Sequence, residues 1–94
     1  MANAHHLDLV RAKKVVWNEW RARNPKTLPD LSESNLNRAD LFERNLSGTN
    51  LRKCDLYAAD LRYANLSRAI IDENEIIYAK VSLQDVDEGA LINR

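Results

Sequence analysis

Leucine recurs every five residues through the middle of this chain, at Leu31, Leu36, Leu41, Leu46, Leu51, Leu56, Leu61 and Leu66. The step continues in aliphatic residues through Ile71, Ile76, Val81, Val86 and Leu91, so the repeat spans residues 29–93. A period of five matches neither the 3.6 of a helix nor the 2.0 of a strand. The chain must therefore turn by a fixed angle every five residues, and the repeat dictates the architecture before any local propensity is weighed.

The residues flanking each aliphatic centre i indicate how the turn is made. Position i−1 is Asp or Asn nine times: Asp30, Asn35, Asp40, Asn45, Asn50, Asp55, Asp60, Asn65 and Asp85. These side chains bond to nearby backbone and favour bends, which suits a corner between flat sides. Position i−2 is small in Ser34, Ala39, Thr49, Cys54, Ala59, Ala64, Ala69, Ala79 and Gly89. In an extended segment i and i−2 share a side, so a large and a small residue point inward together. Arg44, Asn74 and Gln84 fit the small site poorly, and Pro29 opens the array. Arg44 is expected to turn its guanidinium outward, because burying it unpaired would be costly. Ile70, Glu75, Lys80 and Ala90 interrupt the Asp/Asn pattern, so regularity weakens after Leu66.

Ala39-Asp40-Leu41-Phe42-Glu43, Ala59-Asp60-Leu61-Arg62-Tyr63 and Ala64-Asn65-Leu66-Ser67-Arg68 resemble the Ala-(Asp/Asn)-Leu-x-x unit of the pentapeptide repeat family. The resemblance implies an all-β solenoid, a right-handed quadrilateral β-helix with four pentapeptides per coil, here about three coils. Residues j and j+20 would then stack. The expected inner columns are Leu31–Leu51–Ile71–Leu91, Leu36–Leu56–Ile76, Leu41–Leu61–Val81 and Leu46–Leu66–Val86. The stretch Trp17-Asn18-Glu19-Trp20-Arg21 with Asn24-Pro25, followed by Pro29-Asp30-Leu31-Ser32, also resembles the lead-in of some bacterial pentapeptide arrays.

A short solenoid exposes apolar residues and unpaired backbone at its ends. Residues 1–28 read as the cover for one of them, with 29–94 as the β-helix. From Ala4 to about Arg23, Leu9, Val10, Val16, Trp17 and Trp20 fall on one side of a single amphipathic helix, with Lys13 in the same sector. Asn24-Pro25 ends it, because a residue before proline avoids the α region.

Charge excludes some functions and leaves others open. The chain has 14 Lys and Arg against 14 Asp and Glu, so no bulk field favours nucleic acid or a membrane. The balance hides an asymmetry, with residues 1–28 carrying six basic and two acidic groups. Cys54 is the single cysteine, which fits a reducing, cytoplasmic compartment. It sits at an inward small site, far in sequence from His5 and His6, which read as solvated; no nucleophile or metal set is expected. No glycine-rich phosphate loop or zinc motif occurs. A side-chain-filled solenoid also offers no cavity for a small-molecule substrate. No enzyme and no cofactor are expected.

The expected function is a non-catalytic protein-interaction or scaffold module. Two other readings compete: a DNA-mimicking regulator of DNA gyrase or topoisomerase, and a peripheral membrane module using the basic, Trp-containing helix. Nucleic acid and membrane are disfavoured as partners. The array carries only −4 over about three coils, and the tryptophans suit a plug. The expected contact surface is the outward aromatic set Phe42, Tyr57, Tyr63, Ile77, Tyr78 and Leu83, with Leu91 and Ile92 at the C-terminal end. Tyr57 is expected to stack on Ile77, and Tyr63 on Leu83. The partner is another protein or a second copy, a homodimer formed through the aromatic faces or the C-terminal end.

Overall fold

A computed structural model describes residues 1–72, 75 and 78–80, and the backbone of 91–93. Two helices, α1 (Ala4–Arg11) and α2 (Lys14–Arg23), precede three short parallel strands, β1 (Asn50–Leu51), β2 (Ile70–Asp72) and β3 (Leu91–Asn93), in the sheet order β1-β2-β3.

Most pairing lies outside these strands, in single bridges at the residue preceding each leucine. Asp30 pairs with Asn50, Asn35 with Asp55, Asp40 with Asp60 and Asn45 with Asn65, all in parallel. β1 and β2 keep the same twenty-residue offset, Asn50 opposite Ile70. This is the pairing of a parallel β-helix. The chain returns over itself after four pentapeptides, and each side of the first coil makes three backbone bonds with the second, as in Leu31 N–H to Asn50 O (2.9 Å), Glu33 N–H to Arg52 O (2.8 Å) and Asn50 N–H to Pro29 O (2.9 Å).

The corner chemistry repeats eight times. The side-chain oxygen of each Asp or Asn at i−1 accepts from the amide two residues on, as in Asp30 to Ser32 (3.0 Å), Asn35 to Asn37 (3.0 Å) and Asn65 to Ser67 (3.0 Å). Residue i+3 then donates back to the carbonyl of i, as Ala39 does to Leu36 at 3.1 Å. The turn so closed forces positive φ at i+2 in Glu33, Arg38, Glu43, Gly48, Lys53, Ala58, Tyr63 and Arg68. Seven of these are not glycine, each costing about 1 kcal/mol relative to right-handed backbone. Burial offsets that cost, since every central residue from Leu31 to Ile71 is at most 2% exposed and each contributes roughly 1.5–3 kcal/mol. The expected inner columns therefore form over this range; Ile76, Val81 and Val86 lie outside the described residues.

Three expectations change. The N-terminal helix is two helices, because Ala12 (ψ 179°) and Lys13 (ψ 151°) are extended. The break turns Val16 outward, to 43% exposure, and leaves Lys13 exposed as the N-cap of α2, whereas Val10 and Trp17 stay buried and Leu9 and Trp20 half-buried. Arg44 does not point out. It is buried, and its two terminal nitrogens donate to the carbonyls of Val10 (2.8 Å) and Ala12 (2.9 Å) at the break. Burial lowers its pKa while Asp40 opposes the shift, so the expected cost of burying it is met by carbonyls at a helix C-terminus, where the dipole favours a cation. Finally, β3 pairs at twenty-one residues rather than twenty: Ile71 lies opposite Ile92, not Leu91. Lys80 still pairs with Asp60 at twenty.

Candidate functional site

The outer surface carries its aromatic residues at the corners that end two adjacent sides of the coil. Phe42 and Tyr63 follow Leu41 and Leu61 on one side; Tyr57 and Tyr78 follow Leu56 and Ile76 on the other. The rings pair across successive coils. Phe42 meets Tyr63 edge-on with centroids 5.6 Å apart, and Tyr57 meets Tyr78 at 6.0 Å. Both pairs are twenty-one residues apart, a ring at i+1 reaching one at i+2 of the coil above. Aromatic pairs at such distances add about 0.5–1.5 kcal/mol beyond burial. Tyr57, Tyr63 and Tyr78 remain 49%, 68% and 58% exposed.

Cations interleave with the rings. Arg38 lies 5.9 Å from the Tyr57 centroid, while Arg62 and Lys14 lie 5.7 and 5.8 Å from Phe42. Phe42 is consequently half-buried. Between the two ring pairs runs an open groove of about 590 Å³, lined among others by Arg38, Asp40, Asp60, Arg62 and Lys80. Arg62 holds Asp60 in two bonds of 3.0 and 2.9 Å. The Asp60 carboxyl is held below the usual carboxylate range, chiefly by this bond. The expected aromatic side is thus also a charged side, mixing Tyr, Arg and carboxylate as protein interfaces do. Ile77 and Leu83, expected on this surface, lie outside the described residues. For Leu91 and Ile92 the structure describes only the backbone of β3.

The helices sit at the opposite kind of surface, the edge of the first coil. There the backbone groups of positions i−1 would face a preceding coil, and side chains of residues 1–24, with the Asn3 amide, meet them instead. Trp17 Nε1 donates to Asn45 O at 2.8 Å, and Asn18 Oδ1 accepts from Asn45 N at 2.9 Å. Arg11 donates to Asn35 O, and Asn3 N–H to Asp30 O. Arg21, one of the basic residues of the N-terminal segment, is buried and donates to Ser47 O at 2.8 Å. Burial lowers its pKa.

His6 was expected in solvent and is instead part of this cover. Its Nδ1 accepts from Asp30 N–H at 3.0 Å, and its ring lies 5.1 Å from that of Trp20. The bond requires an unprotonated Nδ1. The pKa is lowered first by burial and then by His5, with Arg21 adding to the shift and Asp30 opposing it. No spacing signal marks a histidine for this role; it follows from where the helix lands. Cys54 is buried as expected and donates from Sγ to Leu31 O at 2.8 Å. Burial pushes its pKa up to about 11, so it is a thiol at neutral pH.

Among the described residues no group of three or more His, Cys, Asp or Glu side chains could hold a metal ion, and no helix is long and apolar enough to cross a membrane. Comparison with curated proteins and with solved structures finds no significant match in either case. The family model for pentapeptide repeats matches residues 34–72 in eight copies. Those are residues whose corners, inner columns and twenty-residue pairing have just been described, and over them this chain carries pentapeptide repeats.

Proposed function

We propose that this protein is a non-catalytic, cytoplasmic protein-binding module, a right-handed four-sided β-helix of about three coils closed at its N-terminal end by α1 and α2. Its contact face is the side between two successive corners, one bearing Tyr57 and Tyr78 and the other Phe42 and Tyr63. The observation that carries this reading is the pairing of four rings across adjacent sides, three of them about half exposed or more. Tyrosine and arginine dominate the energetics of protein interfaces because they bring large, stiff contact area with a polar tip. Here Arg38 and Arg62 line the groove together with Phe42, and each lies near a ring of the two pairs.

Absence of catalysis fits the same geometry. Asp40 and Asp60 bond the amides of Phe42 and Arg62 to build their own corners, a role that repeats at every other corner. The membrane reading loses its anchors, since Trp17 is fully buried and Arg21 nearly so. The DNA-mimic reading needs a continuous acidic track, and the described outward columns alternate, as in Glu33–Arg52/Lys53–Asp72.

Photocrosslinking tests the proposal. A photoreactive benzoylphenylalanine replaces Tyr63 in one variant and Arg52, on the far side, in another. A discrete protein adduct from position 63 and none from position 52 is expected, with the adduct reduced by Tyr57→Ser. No adduct from position 63, or the same adducts from both positions, overturns the reading.

A further inference from the structure

The groove between the ring pairs does not stop at the first coil. Ala39 and Asp40 also line a second hollow of about 350 Å³, which reaches the break between α1 and α2 and is walled there by Arg11, Lys13 and Arg44. The two hollows form one strip along the stacking axis, from Lys80, which pairs onto the second coil, across the first coil to the helices.

Six cations border this strip, Arg11, Lys13, Arg38, Arg44, Arg62 and Lys80, against two carboxylates, Asp40 and Asp60. That leaves a surplus of four positive charges on a chain whose formal net charge is zero. Arg62 takes both oxygens of Asp60, and Arg44 is buried against two carbonyls. The other four cations are exposed. Arg11 and Arg38 donate only to neutral oxygens, of Asn35 and Asn37. Among the described residues none of Arg11, Lys13, Arg38 and Lys80 forms a salt bridge. Lys13 is also the N-cap of α2, so the positive end of that helix adds to the field.

We propose that this strip binds an extended acidic segment of another protein, whose carboxylates meet Arg38 and Lys80 between the rings and Arg11 and Lys13 at the helix break. The proposal rests on the aromatic groove being the contact face and adds the chemistry of its partner. Complementary charge selects a partner by sign and fixes its register, while the flanking tyrosines supply contact area for its apolar side chains. Two steps of about 4.8 Å between coils and a helix layer of about 10 Å give a run of roughly 20 Å, which about six extended residues cover. Single-stranded nucleic acid matches the charge but not the rings. It binds by stacking bases on aromatic faces, whereas Arg62 and Lys14 lie over the Phe42 ring and Arg38 over that of Tyr57.

The test is fluorescence polarisation of a labelled peptide of alternating Glu and Leu, about eight residues long. The wild type should bind it and should not bind the same peptide with Lys in place of every Glu. Arg38→Glu/Lys80→Glu and Arg11→Glu/Lys13→Glu, each checked for folding by circular dichroism, should weaken binding about tenfold or more. Arg52→Glu/Lys53→Glu, on the far side, should bind like wild type. No binding by the wild type, undiminished binding by the two strip variants, an equal loss in the far-side variant, or equal binding of a single-stranded oligothymidylate overturns the proposal. Photocrosslinking from position 63 separates this inference from the reading beneath it. An adduct undiminished by Arg38→Glu/Lys80→Glu keeps the contact face and discards the acidic partner, whereas no adduct at all removes both.

Discussion

The first and second coils fit together differently from the second and third. Between the first two, four corners pair at an offset of twenty residues and every i−1 position is Asp or Asn. Between the second and third, those positions become Ile70, Glu75 and Lys80, and the ladder is altered at each described point except Asn50–Ile70 and Asp60–Lys80. Lys53 N–H donates to the Asp72 carboxylate at 2.7 Å, and Leu56 N–H to the Glu75 carboxylate at 3.2 Å, where the first coil uses backbone carbonyls. Ala58 N–H reaches Tyr78 O, one residue beyond the regular partner. β3 then pairs at twenty-one. Ile71 is fully buried all the same. Apolar spacing therefore sets which residues face inward, whereas the corner Asp or Asn keeps the ladder between coils regular.

The largest expected effect concerns the covered edge. Trp17→Ala removes a fully buried ring and the donor to Asn45 O, at a cost of about 3–5 kcal/mol. For a chain of this length that lowers the melting temperature by more than ten degrees. Arg44→Met should lose about half as much, because it abandons two carbonyls of the helix break but keeps the packing. If both variants melt like wild type, the helices do not hold the first coil and the asymmetry between its two edges disappears.

A smaller effect sharpens the contrast between junctions. Asp55→Ala deletes the acceptor of the Tyr57 amide at a regular corner, and by analogy with losing a helix cap should cost about 1 kcal/mol. Glu75→Ala deletes an acceptor for an amide of the coil below rather than for its own turn. Amide exchange read by mass or NMR should speed around Tyr57 and Ala58 in the first variant and at Leu56 in the second. Identical exchange patterns would mean that a corner carboxylate and a cross-coil carboxylate do the same job.

The smallest effect is a pH dependence. His6 has its pKa lowered in the fold, so the unfolded chain binds more protons and stability rises with pH across the interval between the folded value and the ordinary 6.5 or so. The contribution is complete above that interval and lost as pH falls through it. Asp30, whose pKa is lowered chiefly by the Ser32 hydroxyl, acts in the same direction but in the carboxylate range. Melting temperature should therefore fall by a few degrees at most between pH 7.5 and 5. His6→Gln should flatten that slope. An unaltered slope would place the titration elsewhere.

Some of this was legible in the chain itself. Leu31 to Ile71 as inward residues, the Asp and Asn corners, and a tryptophan plug follow from periodicity and from what those side chains bond within two residues of themselves. The aromatic face was legible too, as outward positions on two adjacent sides, although its interleaving with Arg38 and Arg62 was not. The positive φ at i+2 left no compositional trace, because glycine occupies only one of those eight positions.

What the sequence by itself determined is therefore local and repeated: a five-residue step, a buried leucine, a bonded corner. What only the tertiary structure decided is where different parts of the chain meet. Arg44 and Arg21 look like surface cations until the carbonyls of Val10, Ala12 and Ser47 receive them. His6 looks solvated until the unpaired Asp30 amide faces it. The register of β3 changes by one residue where the corner signal lapses. A repeat specifies the bonds a unit makes with itself and with its copies twenty residues away. An edge has no copy beyond it, so its polar groups are satisfied by whichever side chains the helices happen to bring.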